Sequence, residues 1–443
     1  VWHTAELDEE FTADSPVADF RDYLALEARL FDQLEERVYA KTGAAGSTQI
    51  NRYQRGALAD PGRWPRNWNR SFLMESGNPG PNVLMLHGLS DAPYSLRKMA
   101  QRFHRAGATV LGLRVPGHGS APSGLVKVRW QDMAAAVRIA VQHLARSGPG
   151  RPLYIVGYSN GAALAVQHVL AHLDDPAAPR IAGLVLLSPE IGVTRAAALA
   201  VWQARLGYLL GMEKLAWNDI LPEYEPFKYG SFAINAGDVS YRITTEIQRQ
   251  ISELDEREAL ADMPPILAFS SVIDATVEAP ALVNKLFNRL RSSGHELVLF
   301  DINRQSDVEE LLRWRPDSMI DALQQAPRDL FALTLVTNRD RHSAEVIEQR
   351  WAIGQTEVVR RELGLSWPQD IHSLSHVALP FSPDDPLYGG HPVEPSPGIH
   401  LGDIAVRGER GALAISESAL VRLRWNPFYS YLEERALAFT GLR

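Results

Sequence analysis

The chain of 443 residues is longer than one compact core usually holds, so we expect one large domain with insertions or two domains. Hydrophobic residues make up 45% and charged residues 22%, as in soluble globular proteins, and the net charge of -8 without a basic stripe argues against a nucleic acid partner. Cysteine is absent, which excludes disulfides, thiolate metal sites and a cysteine nucleophile.

The sequence also bears on the membrane and on the compartment. No apolar run reaches the length of a bilayer span, so we expect no transmembrane segment. The chain starts at Val1 rather than at a methionine, which indicates that an N-terminal piece is missing: a signal peptide, a membrane anchor, or residues left out at a chosen boundary of the chain. We therefore expect an exported, periplasmic or envelope-associated protein rather than a cytoplasmic one.

Residues 1–70 are predicted to form an extension ahead of the main domain. Its first 16 residues are acidic and irregular, and residues 17–40 have the spacing of an amphipathic helix. The apolar face of this helix is predicted to contain Phe20, Leu24, Leu30, Phe31 and Leu34. Residues 51–80 are predicted to contain early strands and loops.

From residue 71 onwards, short apolar strands alternate with helices. The predicted strands cover residues 82–86, 108–115, 153–156, 181–187, 266–271 and 296–300. Segments with helical spacing lie between them, for example over residues 130–146. This alternation predicts a parallel, doubly wound sheet whose ligand site lies at the carboxyl ends of the strands.

Two stretches interrupt the alternation. Residues 191–262 are rich in aromatic residues and leucine with mainly helical spacing, so we expect a helical cap over the site. The residues that carry this spacing are Trp202, Leu206, Leu209, Leu210, Trp217, Tyr224, Phe227, Tyr229 and Phe232. Residues 304–370 form a second insertion, which contains a strand-like segment at 331–336. The main domain is therefore expected in three parts: residues 71–190, 263–303 and 371–443.

The stretch around Ser159 has the pattern of a catalytic nucleophile. An apolar strand runs into Gly157-Tyr158-Ser159-Asn160-Gly161, and a helical pattern comes after it. This is the G-x-S-x-G elbow, a strained turn that lifts the serine hydroxyl clear of the sheet edge. Larger side chains two residues before and after the serine would collide with the turn, so both positions are glycine. The free N–H groups of the following helix favour negative charge at the site.

A serine hydroxyl needs a general base, and a carboxylate usually orients that base. After a G-x-S-x-G elbow the acid comes first along the chain and the histidine second. Asp274 directly follows the apolar strand 266–271 and is the candidate acid. Asp301 and Asp340, which also lie near strand ends, are the alternatives, and Asp274 could instead be a helix cap or a turn residue.

Six histidines follow Asp274 and therefore fit this order: His295, His342, His372, His376, His391 and His400. The candidate base is His376, because it precedes the final helix, where the last loop of the sheet is expected. The next choice is His372. Two histidines ahead of the nucleophile, His87 and His118, are predicted to brace glycine-rich loops.

The attacked carbonyl oxygen becomes negatively charged and needs two N–H donors. The backbone amide of Asn160, directly after the nucleophile, is one candidate. The other is Leu89, in the loop that follows the strand 82–86.

Three further motifs receive a structural interpretation. Ser90 lies in a sequence that nearly repeats the elbow, but the His-Gly before it fits an oxyanion loop. His168 and His172 are four residues apart, as in a zinc site, but the glutamate of that motif is missing, so we expect surface or packing residues. Asp384-Asp385 is flanked by prolines and indicates a turn rather than a calcium site. We expect neither a metal nor a cofactor.

These motifs resemble those of the α/β-hydrolase superfamily, in particular its monoglyceride lipase, lysophospholipase and serine aminopeptidase branch. The motifs are His87-Gly88, Gly117-His118-Gly119, Gly157-Tyr158-Ser159-Asn160-Gly161, Asp274-Ala275-Thr276-Val277 and His376. The resemblance covers roughly residues 71–303 and the C-terminal stretch. It implies the α/β-hydrolase fold, a doubly wound and mostly parallel sheet with an inserted helical cap, and a Ser159–His376–Asp274 triad. The departure is the insertion 304–370, because in typical members the histidine comes soon after the preceding strand.

The resemblance implies hydrolysis of carboxylic esters without a cofactor. The aromatic cap favours an apolar acyl or aryl group in a small-molecule or lipid-like ester, cleaved through an acyl-enzyme. Amide or peptide hydrolysis of the serine aminopeptidase type uses the same triad and is an alternative. A second alternative is a catalytically inactive hydrolase fold that serves as a binding protein.

Overall fold

The computed structural model of the chain describes residues 1–43, 50–192, 216–274, 279–306, 308–312, 316–325, 329–355, 357–393, 395–402 and 421–442. Its strands are β1 (Phe72–Met74), β2 (Asn82–Leu86), β3 (Thr109–Leu113), β4 (Leu153–Tyr158), β5 (Gly183–Leu187), β6 (Trp217–Asp219), β7 (Phe232–Ala233), β8 (Ile266–Ser271), β9 (Glu296–Phe300), β10 (Ala332–Asn338), β11 (Glu345–Trp351) and β12 (Val358–Ser366). Its longer helices are α1 (Phe20–Leu34), α2 (Arg97–Arg105), α3 (Trp130–Ser147), α4 (Asn160–His172), α5 (Ile234–Glu256), α6 (Ala279–Lys285), α7 (Asp317–Gln325) and α8 (Tyr429–Phe439). None of these helices is both long enough and apolar enough to span a bilayer.

Ten of the described strands form one mixed sheet in the order β1-β3-β2-β4-β5-β8-β9-β10-β11-β12. The strands from β3 to β10 in this order are parallel to their neighbours, whereas β1, β11 and β12 pair antiparallel. Helices cover both faces, so β2, β3, β5 and β8 are buried along their whole length. The doubly wound, mostly parallel sheet is therefore confirmed.

Side chains alternate between two hydrophobic cores. Ile155 points into the core that contains residues of α1, α3, α4, α5, α6 and α7, and Val156 points into the core that contains residues of α2 and α8. Because all the parallel strands run in one direction, their carboxyl ends share one edge of the sheet. The loops that follow β2, β3, β4, β5 and β8 meet at this edge.

The extension packs on the first of these cores through α1. Four of the five residues predicted for its apolar face are buried, but Leu24 is 38% exposed, so that residue was wrongly assigned. The inward face is centred on Tyr23, Glu27 and Leu30. Leu24 follows Tyr23 and therefore points about 100° away from the core. A π-helical turn, Glu35–Tyr39, continues α1.

The segment after β5 differs from the expected helical block. Trp202, Leu206, Leu209 and Leu210 lie outside the described residues. Residues 216–233 contain the two-stranded β6–β7 sheet and non-helical backbone, so helical spacing was the wrong interpretation there. Pro222 and Pro226 lack the amide hydrogens that a helix needs. The helix begins only at Ile234, and it packs against α3 and α4.

The insertion 304–370 extends the central sheet. The predicted strand at 331–336 is found as β10, which pairs parallel to β9, and β11 and β12 continue the sheet antiparallel. The ends of the insertion meet: the Asn303 N–H donates to His372 O at 2.7 Å, and Asn303 Nδ2 donates to Ile371 O at 2.9 Å. The chain therefore returns after β12 to the point at which it left the sheet after β9.

Candidate active site

Ser159 occupies a strained turn between β4 and α4. Its φ of 54° and ψ of −115° are uncommon for a residue with a side chain. A Cβ atom on Gly157 would lie 2.5 Å from Ala162 Cα, and one on Gly161 would lie 2.1 Å from Leu86 O. The prediction that only glycine fits on either side of the serine is therefore confirmed.

The structure brings Asp274 and His376 together. His376 Nδ1 lies 3.2 Å from Asp274 Oδ2, and both side chains are buried. An imidazole that donates its Nδ1–H to this carboxylate keeps a free lone pair on Nε2, the arrangement that a general base requires. Asp274 follows β8, and its own N–H donates to Ser271 O at 3.2 Å.

His376 lies beside the elbow. The ring of Tyr158, the residue before Ser159, is 5.4 Å from the imidazole between centroids, and its hydroxyl donates to His376 O at 3.5 Å. Only β5 separates β4, which leads to Ser159, from β8, which leads to Asp274. Serine, histidine and aspartate therefore occupy one region of the sheet edge.

The alternative acids and the second histidine have other partners. Asp301 accepts a hydrogen bond from Arg304 Nη2 at 2.9 Å and one from the Thr337 hydroxyl at 2.8 Å. Asp340 accepts the N–H of His342 at 2.8 Å in the turn after β10. His372 is exposed and contributes its carbonyl oxygen to the junction with Asn303.

His295, another alternative base, lies at the amino ends of the parallel strands, on the side of the sheet away from Ser159. Its Nδ1 accepts the N–H of Ile266, at the start of β8, at 3.2 Å, and its Nε2 is 2.7 Å from the Ser292 hydroxyl. His295 precedes β9, so it faces the amino ends of the parallel strands. These contacts indicate a structural role.

Buried histidines should make the stability of the protein sensitive to acid. Burial lowers the pKa of His295, and also that of His118, to about 4, from an ordinary value of 6.5. The folded state keeps both rings neutral, whereas the unfolded chain takes up protons below pH 6.5. We expect the free energy of unfolding to be fully retained above this pH and to fall by about 3 kcal/mol per histidine as the pH drops to about 4. Urea unfolding at several pH values measures this slope.

A pair of variants isolates the contribution of His295, which is remote from Ser159. In His295→Gln the free energy of unfolding should fall less between neutral pH and pH 4 than it does in the unmodified protein, even if the variant is less stable at neutral pH. The exposed His391 provides the control, since His391→Gln should keep the full fall. An unchanged fall in His295→Gln would contradict the prediction.

The loop after β2 is held in a fixed shape. His87 Nε2 accepts the Val115 N–H at 3.0 Å, and His87 Nδ1–H donates to Gly88 O at 2.9 Å, so the prediction that this histidine braces the loop is confirmed. The amides of Leu89 and Asn160 donate no hydrogen bond to any other residue that the structure describes.

Comparison with known proteins identifies the family. Residues 77–302, just over half of the chain, match the family model described as serine aminopeptidase, S33. The chain belongs to the serine aminopeptidase S33 family. Its doubly wound sheet and serine elbow give it the α/β-hydrolase fold, as the resemblance of its motifs implied.

A thermostable monoacylglycerol lipase of Bacillus sp. (strain H-257) is 28% identical to this S33 protein over 127 residues. The match covers 29% of the chain and 47% of the relative, so the chain spans about half the length of this curated relative. One solved structure of the metagenome-derived lipolytic enzymes LipS and LipT matches at 19% identity and a TM-score of 0.40, over 58% of this chain and 98% of the other. The monoacylglycerol lipase of Paleococcus ferrophilus matches at 17% identity and a TM-score of 0.40, over 52% and 88%.

Two acidic residues of this S33 protein contact the site although the sequence did not single them out. Glu190 N–H donates to Ser159 O at 3.3 Å, and its carboxylate accepts Asn160 Nδ2 at 3.3 Å and the hydroxyl of Ser240 on α5. Asp91 accepts Lys228 Nζ at 3.0 Å. Burial raises the pKa of Asp91, and the ammonium group of Lys228 opposes this rise. In the sequence, the only feature that marks Glu190 and Asp91 is that each lies just beyond a predicted strand.

The remaining motifs of this S33 protein have structural contacts. His168 and His172 pack ring to ring at 4.5 Å, and no group of three or more histidine, aspartate or glutamate side chains among the described residues is arranged to hold a metal ion. Asp385 is buried, pairs with Arg97 at 2.9 Å and accepts backbone N–H groups, so the turn interpretation is confirmed there. Ser90 O accepts the N–H of Tyr229 at 2.9 Å.

Proposed function

We propose that the chain is a serine hydrolase that cleaves carboxylic esters, with Ser159 as nucleophile, His376 as base and Asp274 as the acid that orients the base. The observation that carries the proposal is the hydrogen bond between His376 and Asp274, 102 positions apart in the chain, beside the strained elbow of Ser159. The Bacillus relative is a monoacylglycerol lipase, which supports an ester as the substrate.

In the proposed reaction Ser159 Oγ attacks the ester carbonyl carbon while His376 Nε2 takes the hydroxyl proton. The amides of Leu89 and Asn160 donate to the oxyanion of the tetrahedral intermediate. The bond to the alcohol oxygen then breaks, and His376 gives its proton to the leaving alcohol. Water attacks the acyl-enzyme with His376 again as base, which releases the carboxylic acid and restores Ser159. Asp274 stabilises the imidazolium ion at each step.

We propose an apolar acyl or aryl group in the substrate and a cap formed by residues 191–262. Within this segment Tyr229 contacts the loop after β2, since its N–H donates to Ser90 O at 2.9 Å. Phe227 stacks on Tyr94 with the ring centroids 4.4 Å apart, so buried aromatic side chains pack next to the same loop. Sites for small ligands are mostly apolar with a few placed polar groups, and this composition fits that rule.

A fluorophosphonate should label the protein on Ser159, because the reagent forms a stable adduct with a serine that a neighbouring base activates. The same preparation should hydrolyse p-nitrophenyl esters faster than amino-acid anilides. Mass spectrometry of the adduct locates the label, and absorbance at the nitrophenolate band gives the rates.

Ser90→Ala is the matched control, because Ser90 lies in the second G-x-S-like sequence and should leave both labelling and hydrolysis intact. Ser159→Ala should abolish both. Cleavage of anilides in preference to esters would replace the proposal with an aminopeptidase. A folded protein that remains unlabelled would show a binding protein instead.

A further inference from the structure

Arg114, directly after β3, is buried and takes its counter-charges from the N-terminal extension. Its side chain is 1% exposed. Nη1 and Nη2 donate to the two carboxylate oxygens of Glu10 at 3.1 and 2.9 Å, and Nε donates to Glu27 Oε2 on α1 at 3.2 Å. Bidentate pairing of this kind fixes the direction of a guanidinium group as well as its charge. The extension therefore supplies the partners of a cation that belongs to the central sheet.

The extension also holds the backbone of Arg114. The hydroxyl of Tyr23 on α1 donates to Arg114 O at 2.6 Å. Ser71 Oγ accepts the Arg114 N–H at 2.8 Å and donates to Glu27 Oε2 at 2.7 Å. Two groups therefore hold the backbone of Arg114: the hydroxyl of Tyr23 on α1, and the hydroxyl of Ser71, which Glu27 of α1 orients.

From Arg114 the contacts continue to the loop that carries Leu89. Nη1 of Arg114 donates to His118 O at 2.9 Å, and the N–H of the next residue, Val115, donates to His87 Nε2 at 3.0 Å. The other nitrogen of His87 donates to Gly88 O, directly before Leu89. Arg114 is joined to Val115 by the peptide bond, and the two links from Val115 to Gly88 are hydrogen bonds between buried groups, so a continuous series of contacts connects Arg114 to the residue before Leu89.

We infer that Glu10, Glu27 and Arg114 are positioning residues for the oxyanion loop, and that the N-terminal extension is a working part of the active site. The inference rests on the proposed function, in which the Leu89 amide donates to the oxyanion. A misplaced donor weakens binding of the transition state and leaves binding of the ground state nearly unchanged. Loss of the hydrogen bonds from Arg114 to Glu10 and Glu27 therefore lowers kcat and leaves KM nearly unchanged.

Glu10→Gln is the test variant, because it removes one charge without changing the shape of a side chain that is 15% exposed. We expect kcat to fall by about tenfold, a fraction of the 10²- to 10³-fold loss for a deleted oxyanion donor. The affinity for a trifluoromethyl ketone, which binds as a tetrahedral oxyanion, should fall by the same factor. Glu10→Asp, which retains the charge, should recover part of both losses.

Asp14→Asn is the matched control. Asp14 belongs to the same extension and also pairs with the main domain, through Arg129 Nη2 at 3.1 Å, but the pair is exposed and lies at the start of α3. This variant should keep the kcat and the inhibitor affinity of the unmodified protein. A merely structural role for Glu10 would lower Tm in Glu10→Gln while both kinetic values stay unchanged.

Tyr23→Phe provides a second route if Glu10→Gln does not fold, since it removes only the hydrogen bond to Arg114 O. Unchanged kcat and inhibitor affinity in a folded Glu10→Gln or Tyr23→Phe protein would overturn the inference. This failure is distinct from failure of the proposed function, in which the unmodified protein would neither react with the fluorophosphonate nor hydrolyse esters.

Discussion

Replacing His376 with alanine should reduce kcat for ester hydrolysis by about 10⁴- to 10⁶-fold, because no other group would take the proton of the Ser159 hydroxyl. Asp274→Asn should reduce kcat by about 10⁴-fold, since an amide in this place stabilises the wrong tautomer of the imidazole. KM should change little in either variant. Steady-state rates with a p-nitrophenyl ester give both values, and far-UV circular dichroism shows whether the variants are folded.

The matched control is His372→Ala, four residues before His376. His372 is exposed, and only its backbone takes part in the junction with Asn303, so this variant should retain the rate of the unmodified protein. A His376→Ala protein that hydrolyses esters at more than a few per cent of the original rate would remove His376 as the base. The triad would then need another histidine.

Gly161→Ala should destabilise and distort the elbow region although it adds a single methyl group. The new Cβ would lie 2.1 Å from Leu86 O and 2.6 Å from His87 O, far inside contact distance, and backbone atoms have little freedom to move. We expect a loss of about 3 kcal/mol or more in the free energy of unfolding. A shift of about 1 Å between α4 and the loop after β2 should cost about 100-fold in kcat.

Urea unfolding and steady-state kinetics measure these two losses, with Gly77→Ala as the control. A Cβ on Gly77 meets no atom within 4 Å, and its φ is not in the left-handed region, so this variant should match the original protein in both respects. Full activity and stability in Gly161→Ala would mean that the close approach of α4 to Leu86 is wrong.

The strands of the central sheet could be predicted because burial on both faces makes each of them a continuous apolar run. For this reason β2, β8 and β9 begin and end at the predicted residues. The elbow was predictable for a local reason as well, since its glycines lie within two positions of the serine. Features that depend on few neighbouring residues can be found from the sequence.

The edge of the sheet was harder to predict. β12 is mostly exposed and contains charged residues such as Arg360 and Glu362, so it lacks the apolar run of a central strand. Its place is determined by pairing with β11, which the pattern of either strand alone does not show. Within the insertion 304–370 only the strand at 331–336 was therefore predicted, whereas the structure shows that β11 and β12 also extend the sheet.

The ion pairs near the site could not be predicted from the sequence for a different reason. Lys228 and Asp91 are 137 positions apart, and Arg114 and Glu10 are 104 positions apart. Many charged residues in the chain could form such pairs, and only the folded backbone selects among them. The roles proposed for Ser159, His376 and Asp274 are predictions that kinetic measurements on their variants can test.

The hydrogen bonds from Asn303 to Ile371 and His372 have a consequence for the history of this chain. A segment that departs and re-enters at one point can be lengthened without relocating the residues on its C-terminal side, and each doubling of such a loop costs only about 0.6 kcal/mol of closure entropy. The position of His376 is therefore set by the hydrogen bonds at Asn303 and not by β10, β11 and β12, which lie between Asn303 and His376 in the sequence. Additional residues inserted between Asn303 and Ile371 would enlarge the protein without moving His376.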